Sequence, residues 1–271
     1  MNILVTLDSN YINQLMVMLK SVEYSNASTR IVVYIIHTKL TEFDIAKLKR
    51  NFPMMIFKPI VPNDEIFNTA HFTKRITKET YYRLLLCEYL PAEVDRILYL
   101  DPDTVVIKSL KHLYNFNFGD NCFIGAGHTD GVIEKFNKKR LKMGSDSTYI
   151  NAGVLMINVN NLRKIYDIKE IKKVIKQKGK LLYQADQDVI NTLYWTKTYY
   201  VSPLLYNLDE RTYKKYKLSL DDVINHTVII HYDGKNKPWN DNYDGLLDFF
   251  YNNYERLLIK NDKKIQLSTA D

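Results

Sequence analysis

Cysteine is nearly absent, with Cys87 and Cys122 the only two in 271 residues. Neither stands at a metal-ligand or redox spacing, so both read as small residues for a core. No apolar run approaches the roughly 18 residues that span a bilayer. No positively charged segment precedes a hydrophobic stretch at the start, where Met1 leads straight into Asn2-Ile3-Leu4-Val5-Thr6-Leu7, and a soluble, cytoplasmic protein is expected. Glycine is sparse at nine residues, and the stretch after that first apolar run, Leu7-Asp8-Ser9-Asn10-Tyr11, is no glycine-rich basic loop. Internal repeats, low-complexity linkers and a clear interior boundary are also missing, which leaves a single domain over residues 1–271 as the expectation.

What is present is ordinary globular material, 46% hydrophobic and 25% charged, at a length that buries a large core. The formal charge of +7 favours anionic partners without choosing among nucleic acid, nucleotide-sugar, anionic glycan and membrane surface. Much of the excess falls in the stretches 135–142 and 163–180. In the second, Lys169, Lys172, Lys173 and Lys176 recur at helical spacing opposite Ile168, Ile171, Val174 and Ile175, the pattern of a helix with one solvated face.

Extended apolar runs alternate with helical patterns from the first residue. Residues 2–7, 31–36 and 54–57 read as strands and 10–24 and 41–51 as helices, a βαβαβ beginning that implies a mainly parallel sheet with helices on both faces. Thr41 with Asp44 makes a capping box. A polar loop over 62–77 leads to a helix over 78–89, which Pro91 ends. The β-rich run Arg96-Ile97-Leu98-Tyr99-Leu100 stops at Asp101-Pro102-Asp103, and Thr104 to Ile107 is again β-prone. Further strands are expected at 123–126, 154–158 and 227–231, with helices at 160–178 and 186–195.

Ligands of open α/β sheets bind outside the carboxyl ends of strands, and ionisable residues collect there. Asp101 and Asp103, two apart on an extended chain, point to one side and can grip a hard cation through oxygen, although a turn-and-cap role competes. The same spacing recurs in Asp186-Gln187-Asp188 at a helix start, where acids also favour the helix N-terminus. His231 closes the apolar run Thr227-Val228-Ile229-Ile230, ahead of Gly234, Lys237, Pro238 and Trp239. Two carboxylates and one imidazole, with positions left for phosphate oxygens, suit Mn²⁺ or a similar divalent ion. Lys237 would bring a second neutralising charge to a metal-bound pyrophosphate, and Gly234 would allow close backbone approach. After the first strand, Asp8, Asn10 and Tyr11 offer an aromatic face and paired polar groups to a flat base. Asn10 as a helix cap and Tyr11 as core are the alternatives.

Six segments, taken in order, resemble the family 8 glycosyltransferases, the retaining group that includes bacterial lipopolysaccharide galactosyltransferases and glucosyltransferases and the glycogenin-type enzymes. They are Asp8-Ser9-Asn10-Tyr11; Thr80-Tyr81-Tyr82-Arg83-Leu84; Leu98-Tyr99-Leu100-Asp101-Pro102-Asp103; Asn151-Ala152-Gly153-Val154; Asp186-Gln187-Asp188; and His231-Tyr232 with Gly234, Lys237, Pro238 and Trp239. The resemblance covers most of the chain. It implies an α/β GT-A fold, one Rossmann-like mixed and mainly parallel sheet flanked by helices, with a catalytic core to about residue 239 and a helical tail over 240–271. It further implies that Asp101, Asp103 and His231 ligate Mn²⁺, with Mg²⁺ as the substitute. Asp8, Asn10 and Tyr11 would hold uracil, with Thr6 and Pro102 also at the donor. Arg83, Asn151, Ala152, Asp186 and Gln187 would line the donor sugar, and Gly234 and Lys237 would meet the pyrophosphate. Asp186, Gln187 and Lys237 take the catalytic roles. The implied reaction moves galactose or glucose from a UDP-sugar to a carbohydrate acceptor, whether lipopolysaccharide, surface glycan or glycoprotein; nucleic acid is not an expected partner.

Some bacterial relatives carry a longer basic and aromatic tail than the thirty or so residues after Trp239, among them Leu246, Leu247, Phe249, Phe250 and Tyr251. Contact with the inner face of a membrane is therefore expected to be weak and peripheral. Arg75 is a candidate phosphate contact, and 125–130, ending at Asp130, a candidate sugar-contacting stretch. Two other readings compete. A sugar-phosphate nucleotidyltransferase would want a glycine-rich basic loop at 7–11. A glycan- or nucleic-acid-binding module would leave Asp101, Asp103 and His231 unexplained, because acids repel phosphate unless a cation intervenes.

Overall fold

The apolar alternation at the start of the chain folds as three parallel strands, β1 (Asn2–Thr6), β2 (Ile31–Ile36) and β3 (Met55–Ile60), connected by helices Ile12–Ser25 and Glu42–Asn51. The computed structural model describes residues 1–63, 78–127 and 131–268. Among them, β4 (Arg96–Leu100) adds in parallel to β1, and β7 (Ile150–Asn158) runs antiparallel between β4 and β6 (Phe123–Gly127). With β8 (Thr198–Val201) on the edge, the seven-stranded sheet has the order β3-β2-β1-β4-β7-β6-β8. The remaining strands, β5 (Thr104–Val106) and β9 (Ile229–His231), pair with each other as a separate two-stranded sheet.

Side chains alternate across the pleat, so each central strand feeds two cores. Ile3 and Val5 of β1 pack with Val33, Ile35, Leu98 and Leu100 against helix Ile12–Ser25. Leu4, Tyr34, Ile36, Ile97 and Tyr99 face the other way, toward Leu84, Leu85, Ile171 and Val189. The expected capping box is present: Asp44 N–H donates to Thr41 Oγ1 (3.2 Å) and Thr41 N–H to Asp44 Oδ2 (2.8 Å). On helix Ile168–Lys178, Ile171, Val174 and Ile175 are buried and the four lysines are exposed, as the spacing required.

Two of the expected helices are corrected. The helix over 78–89 is three short pieces, with a 3-10 turn at Tyr82–Leu85 between α-helical turns. All four residues of that turn are buried, so the segment has no solvent face of the kind an amphipathic helix presents, and the tighter winding turns Arg83 under the sheet. The helix over 160–178 breaks after Ile165, because Asp167 adopts an extended backbone and caps the next helix by accepting from Lys169 N–H at 2.7 Å. The β-prone stretch after Asp103 leaves the main sheet for β9. The edge strand β8 was not expected, although its Thr-Tyr-Tyr-Val sequence is β-prone. The tail over 240–271 is helical, Asp248–Ser268, but Leu247, Phe250, Tyr251, Tyr254 and Leu258 are buried in the same core as helix Ile12–Ser25. No helix among the described residues is long and apolar enough to cross a membrane.

Arg163 ties this architecture together near the start of β4. Its two terminal nitrogens donate to the carbonyls of Leu90, Pro91, Ala92 and Val94 at 2.8–3.1 Å, satisfying a turn that has no ladder partners. Arg163→Ala is expected to cost about 2 kcal/mol, seen as a lower urea midpoint with an unchanged slope. An unshifted midpoint would mean that water satisfies those carbonyls equally well.

Candidate active site

The carboxyl ends of β1 and β4 open onto one cleft, and the backbone there fixes the acidic pair. Asp101 N–H donates to Gly153 O at 2.8 Å, and Thr104 folds back through its N–H and hydroxyl onto Asp101 O at 3.2 and 2.8 Å. Pairing of β5 with β9 puts Thr104 opposite His231, and Tyr232 N–H reaches Asp103 O at 3.0 Å. The small second sheet therefore exists, in functional terms, to carry His231 to the aspartates. One ligand atom from each of Asp101, Asp103 and His231 lies within 4.8 Å of the others. His231 Nε2 is 3.3 Å from Asp103 Oδ1 and 3.8 Å from Asp101 Oδ2, while Nδ1 donates to Asn207 Oδ1 at 2.9 Å. That bond fixes the ring and turns Nε2 toward the carboxylates, the orientation a metal-ligating imidazole needs. The donor set, two carboxylates and an imidazole with an open side, fits a hard or borderline divalent ion. Burial opposes a charged imidazole, but Asp103, Asp233 and Asp101 outweigh it and lift His231 to about 9. A cation binding Nε2 below that pH displaces a proton.

Gly153 makes the approach possible. A Cβ there would lie 2.2 Å from His231 Cε1 and 2.7 Å from Asp101 Oδ2, so any other residue pushes the triad apart.

Beneath the triad lies Arg83, 7% exposed. It donates to Asp101 Oδ1 (2.9 Å) and Ala152 O (2.6 Å), its Nε is 2.7 Å from Asp186 Oδ2, and its guanidinium covers the Tyr99 ring at 4.1 Å. Tyr99 OH donates to the same Asp101 oxygen at 2.6 Å and shares a 2.9 Å hydrogen bond with Thr6. Burial disfavours the guanidinium's charge, and Asp101 and Asp186 more than offset that cost. Asp186 is lifted by burial to about 7 against the pull of Arg83.

On the open side, Lys237 donates to Asp103 Oδ2 at 2.6 Å and to Tyr232 O at 2.7 Å. Burial raises the Asp103 carboxyl, but Lys237 and His231 prevail and hold it well below the usual range. Gly234, at φ 136°, begins the turn that returns Lys237 to the cleft. Trp239 meets Tyr11 edge-on at 6.2 Å, which joins the turn to the segment after β1. There Asp8, rather than Asn10, caps the first helical turn, accepting Asn10 N–H at 2.8 Å. Tyr11 is 37% exposed and not core.

The strand β7 and helix Ala185–Tyr194 form the remaining wall. Gln187 accepts Ala152 N–H at 2.9 Å and gives its amide to Tyr149 OH at 2.9 Å; Tyr149 OH donates to Asp188 Oδ1 at 2.6 Å. Asp188 also receives both terminal nitrogens of Arg140 at 2.8 Å. The second Asp-x-Asp therefore faces two different arginines, and neither acid serves as a simple helix-end charge. Asn151 donates to Asp233 at 3.2 Å, and Arg211 bridges Asp233 and Asp209 at 3.1 and 3.0 Å. These groups and His231 line a cavity of ≈ 300 Å³ beside the triad.

A model of the family described as Glycosyl transferase family 8 matches residues 2–243. The chain belongs to that family. The lipopolysaccharide 1,3-galactosyltransferase of Salmonella typhimurium is 30% identical over 176 residues, 62% of this chain and 51% of that protein. The lipopolysaccharide 1,2-glucosyltransferase of Escherichia coli is 32% identical over 190 residues, 64% and 53% of the two. This family 8 chain spans about half the length of these relatives. The galactosyltransferase LgtC, solved in complex with donor and acceptor sugar analogs, superposes with a TM-score of 0.82 at 28% identity, covering 94% of this chain and 95% of that one. The fold is GT-A.

Of the residues singled out in the sequence, the structure gathers Asp101, Pro102, Asp103, His231, Lys237, Arg83, Asn151, Ala152, Asp186 and Gln187 around one cleft, with Asp8, Asn10 and Tyr11 at its β1 end. Thr6 stands behind Tyr99, 7% exposed. Arg75 and Asp130 lie outside the described residues. Sequence reasoning missed Asn207, Tyr99, Asp233, Arg211 and the steric role of Gly153. Tyr99 and Gly153 did lie inside the segments that carry the family resemblance, but without a role of their own. Asn207→Leu, which leaves the imidazole unoriented, should weaken Mn²⁺ affinity about 10- to 100-fold, read by calorimetry. Unchanged affinity would mean the ring needs no support.

Proposed function

We propose that the chain transfers galactose or glucose from a UDP-sugar to a hydroxyl of a carbohydrate acceptor, with retention of configuration and with a divalent ion, Mn²⁺ or Mg²⁺, held by Asp101, Asp103 and His231. The observation that carries this reading is the joint placement of those ligands and Lys237: one oxygen of Asp103 faces His231 and the other holds the ammonium. A diphosphate entering there meets a cation site and a lysine within a single hydrogen-bond network. The names of the lipopolysaccharide hexosyltransferases among its relatives support a hexose and a glycan acceptor. The ion supplies charge neutralisation for the diphosphate.

The residues divide the work. Lys237 turns from Asp103 to a phosphate oxygen as the bond from the anomeric carbon to the diphosphate breaks and negative charge builds. Asp8, Asn10 and Tyr11 grip the base, while Asn151, Ala152 and Gln187 meet the hexose. Asp186 is 2% exposed and paired with Arg83, and the Gln187 oxygen is taken by a backbone N–H. Neither is poised as a nucleophile. That supports same-face attack, in which the acceptor oxygen bonds to the anomeric carbon and its proton passes to the departing phosphate. A cytoplasmic site of action belongs to this reading. Any contact with a membrane is weak and peripheral, through Leu246 and Phe249, each 57% exposed.

The test is acceptor-free release of nucleotide from UDP-galactose, UDP-glucose, UDP-N-acetylglucosamine and GDP-mannose, with Mn²⁺ and with EDTA. Metal-dependent release from a UDP-hexose is expected, and release from none of the four would refute the proposal. Asp103→Ala should slow turnover at least roughly 10²-fold; near-normal turnover would remove it from the metal site. Lys237→Ala should weaken UDP binding while leaving the melting transition in place, and a collapsed transition would mark the lysine as structural.

A further inference from the structure

We propose that helix Gly131–Leu141 and Tyr183 form a second carbohydrate subsite, an aromatic platform that holds the sugar adjoining the one that receives the transferred hexose. The proposal rests on the glycosyltransferase reading above and adds that the preferred acceptor has at least two sugar units.

Helix Gly131–Leu141 exposes three apolar side chains, and Tyr183 packs against one of them, Phe136. Ile133 lines the cavity itself and is 43% exposed, with Val132 at 79%, Phe136 at 55% and Tyr183 at 56%. Exposed apolar clusters of this kind mark interaction sites. The Phe136 and Tyr183 rings lie 8° from parallel, with centroids 6.3 Å apart. Beneath them, the Arg140 guanidinium is 4.7 Å from the Tyr183 centroid and 5.9 Å from that of Phe136. Arg140 is fixed in turn by its paired contacts to Asp188, whose side chain is fully buried. The aromatic pair is therefore anchored through one residue to the helix that carries Asp186 and Gln187. Its order is set before any ligand arrives, which lowers the entropic cost of binding.

The surroundings select a sugar over an alkyl chain or a peptide helix. A pyranose presents a C–H face suited to an aromatic ring and a rim of hydroxyls that need donors and acceptors. The cavity wall next to Ile133 supplies them in Asn151, Asn207, Asp209, Arg211 and Asp233. Arg211 contacts both aspartates, which holds their oxygens in place as acceptors for sugar hydroxyls. An alkyl chain would leave these groups facing apolar carbon. From Ile133 at the rim to Phe136 is one helical turn, about 4.5 Å of axial rise, comparable to the offset between neighbouring rings in a glycan.

The experiment measures transfer from the active UDP-hexose to methyl galactoside, methyl glucoside, lactose, cellobiose, maltose and octyl galactoside. It uses the full chain and its Phe136→Ala, Tyr183→Ala and Phe136→Trp forms. At least one disaccharide should have a KM about tenfold below its monosaccharide, and the two alanine variants should erase that advantage while Phe136→Trp preserves it. A disaccharide advantage that survives both alanine substitutions overturns the subsite. So does the absence of any advantage, a monosaccharide KM that rises in step, or an octyl glycoside that gains and loses as much as the disaccharides. Failure of the underlying reading is separate: no metal-dependent release from any UDP-hexose.

Discussion

A buried guanidinium has to be surrounded by negative charge and carbonyl oxygen, and a cluster of carboxylates at a strand end has to be neutralised before the chain can close over it. In this protein the two requirements meet in Arg83. It answers Asp101, Asp186 and the carbonyl of Ala152 at once, from three different elements, and rests on the Tyr99 ring. The inward 3-10 turn at Tyr82–Leu85, the antiparallel insertion of β7 and the placement of Asp186 at the head of its helix all serve that arrangement. Lys237 performs the same service for Asp103 from the open side. In the proposed reaction Arg83 stays in place, while Lys237, partly buried on the open side, exchanges its carboxylate for a phosphate.

The parallel half of the sheet was legible because period-two and period-3.6 apolar patterns are local, and residues 2–60 obey them closely. The triad was legible because Asp101 and His231 each close an apolar run and Asp103 stands two residues after Asp101. What the sequence did not reveal are relations between distant segments. Asn207 lies among apolar residues, between Leu204-Leu205-Tyr206 and Leu208, with nothing to mark it as the partner of His231. Thr104–Val106 is β-prone wherever it pairs, so only the fold could show that it leaves the main sheet to bring β9 alongside. Arg140 lay inside the basic stretch 135–142, which offered no partner for it, yet its side chain is 5% exposed and paired with Asp188. A charge run conceals its one buried member, since composition is blind to which residue finds a partner.

Membership of glycosyl transferase family 8 and the GT-A fold fix the frame, and neither a nucleotidyltransferase nor a plain binding module accounts for the match over residues 2–243. On the proposed acceptor side, Arg211 bridges Asp209 and Asp233, and Ile133 brings helix Gly131–Leu141 to the same cavity.

The most direct test of the central claim is calorimetric titration of UDP into the chain, once with Mn²⁺ and once with EDTA. The account predicts clear binding with the metal and a large loss of affinity without it, because the diphosphate would then face Asp101 and Asp103 with only Lys237 to offset them. Equal affinity in both solutions would contradict it, showing that the nucleotide is held elsewhere and that the Asp101, Asp103 and His231 cluster has some other purpose.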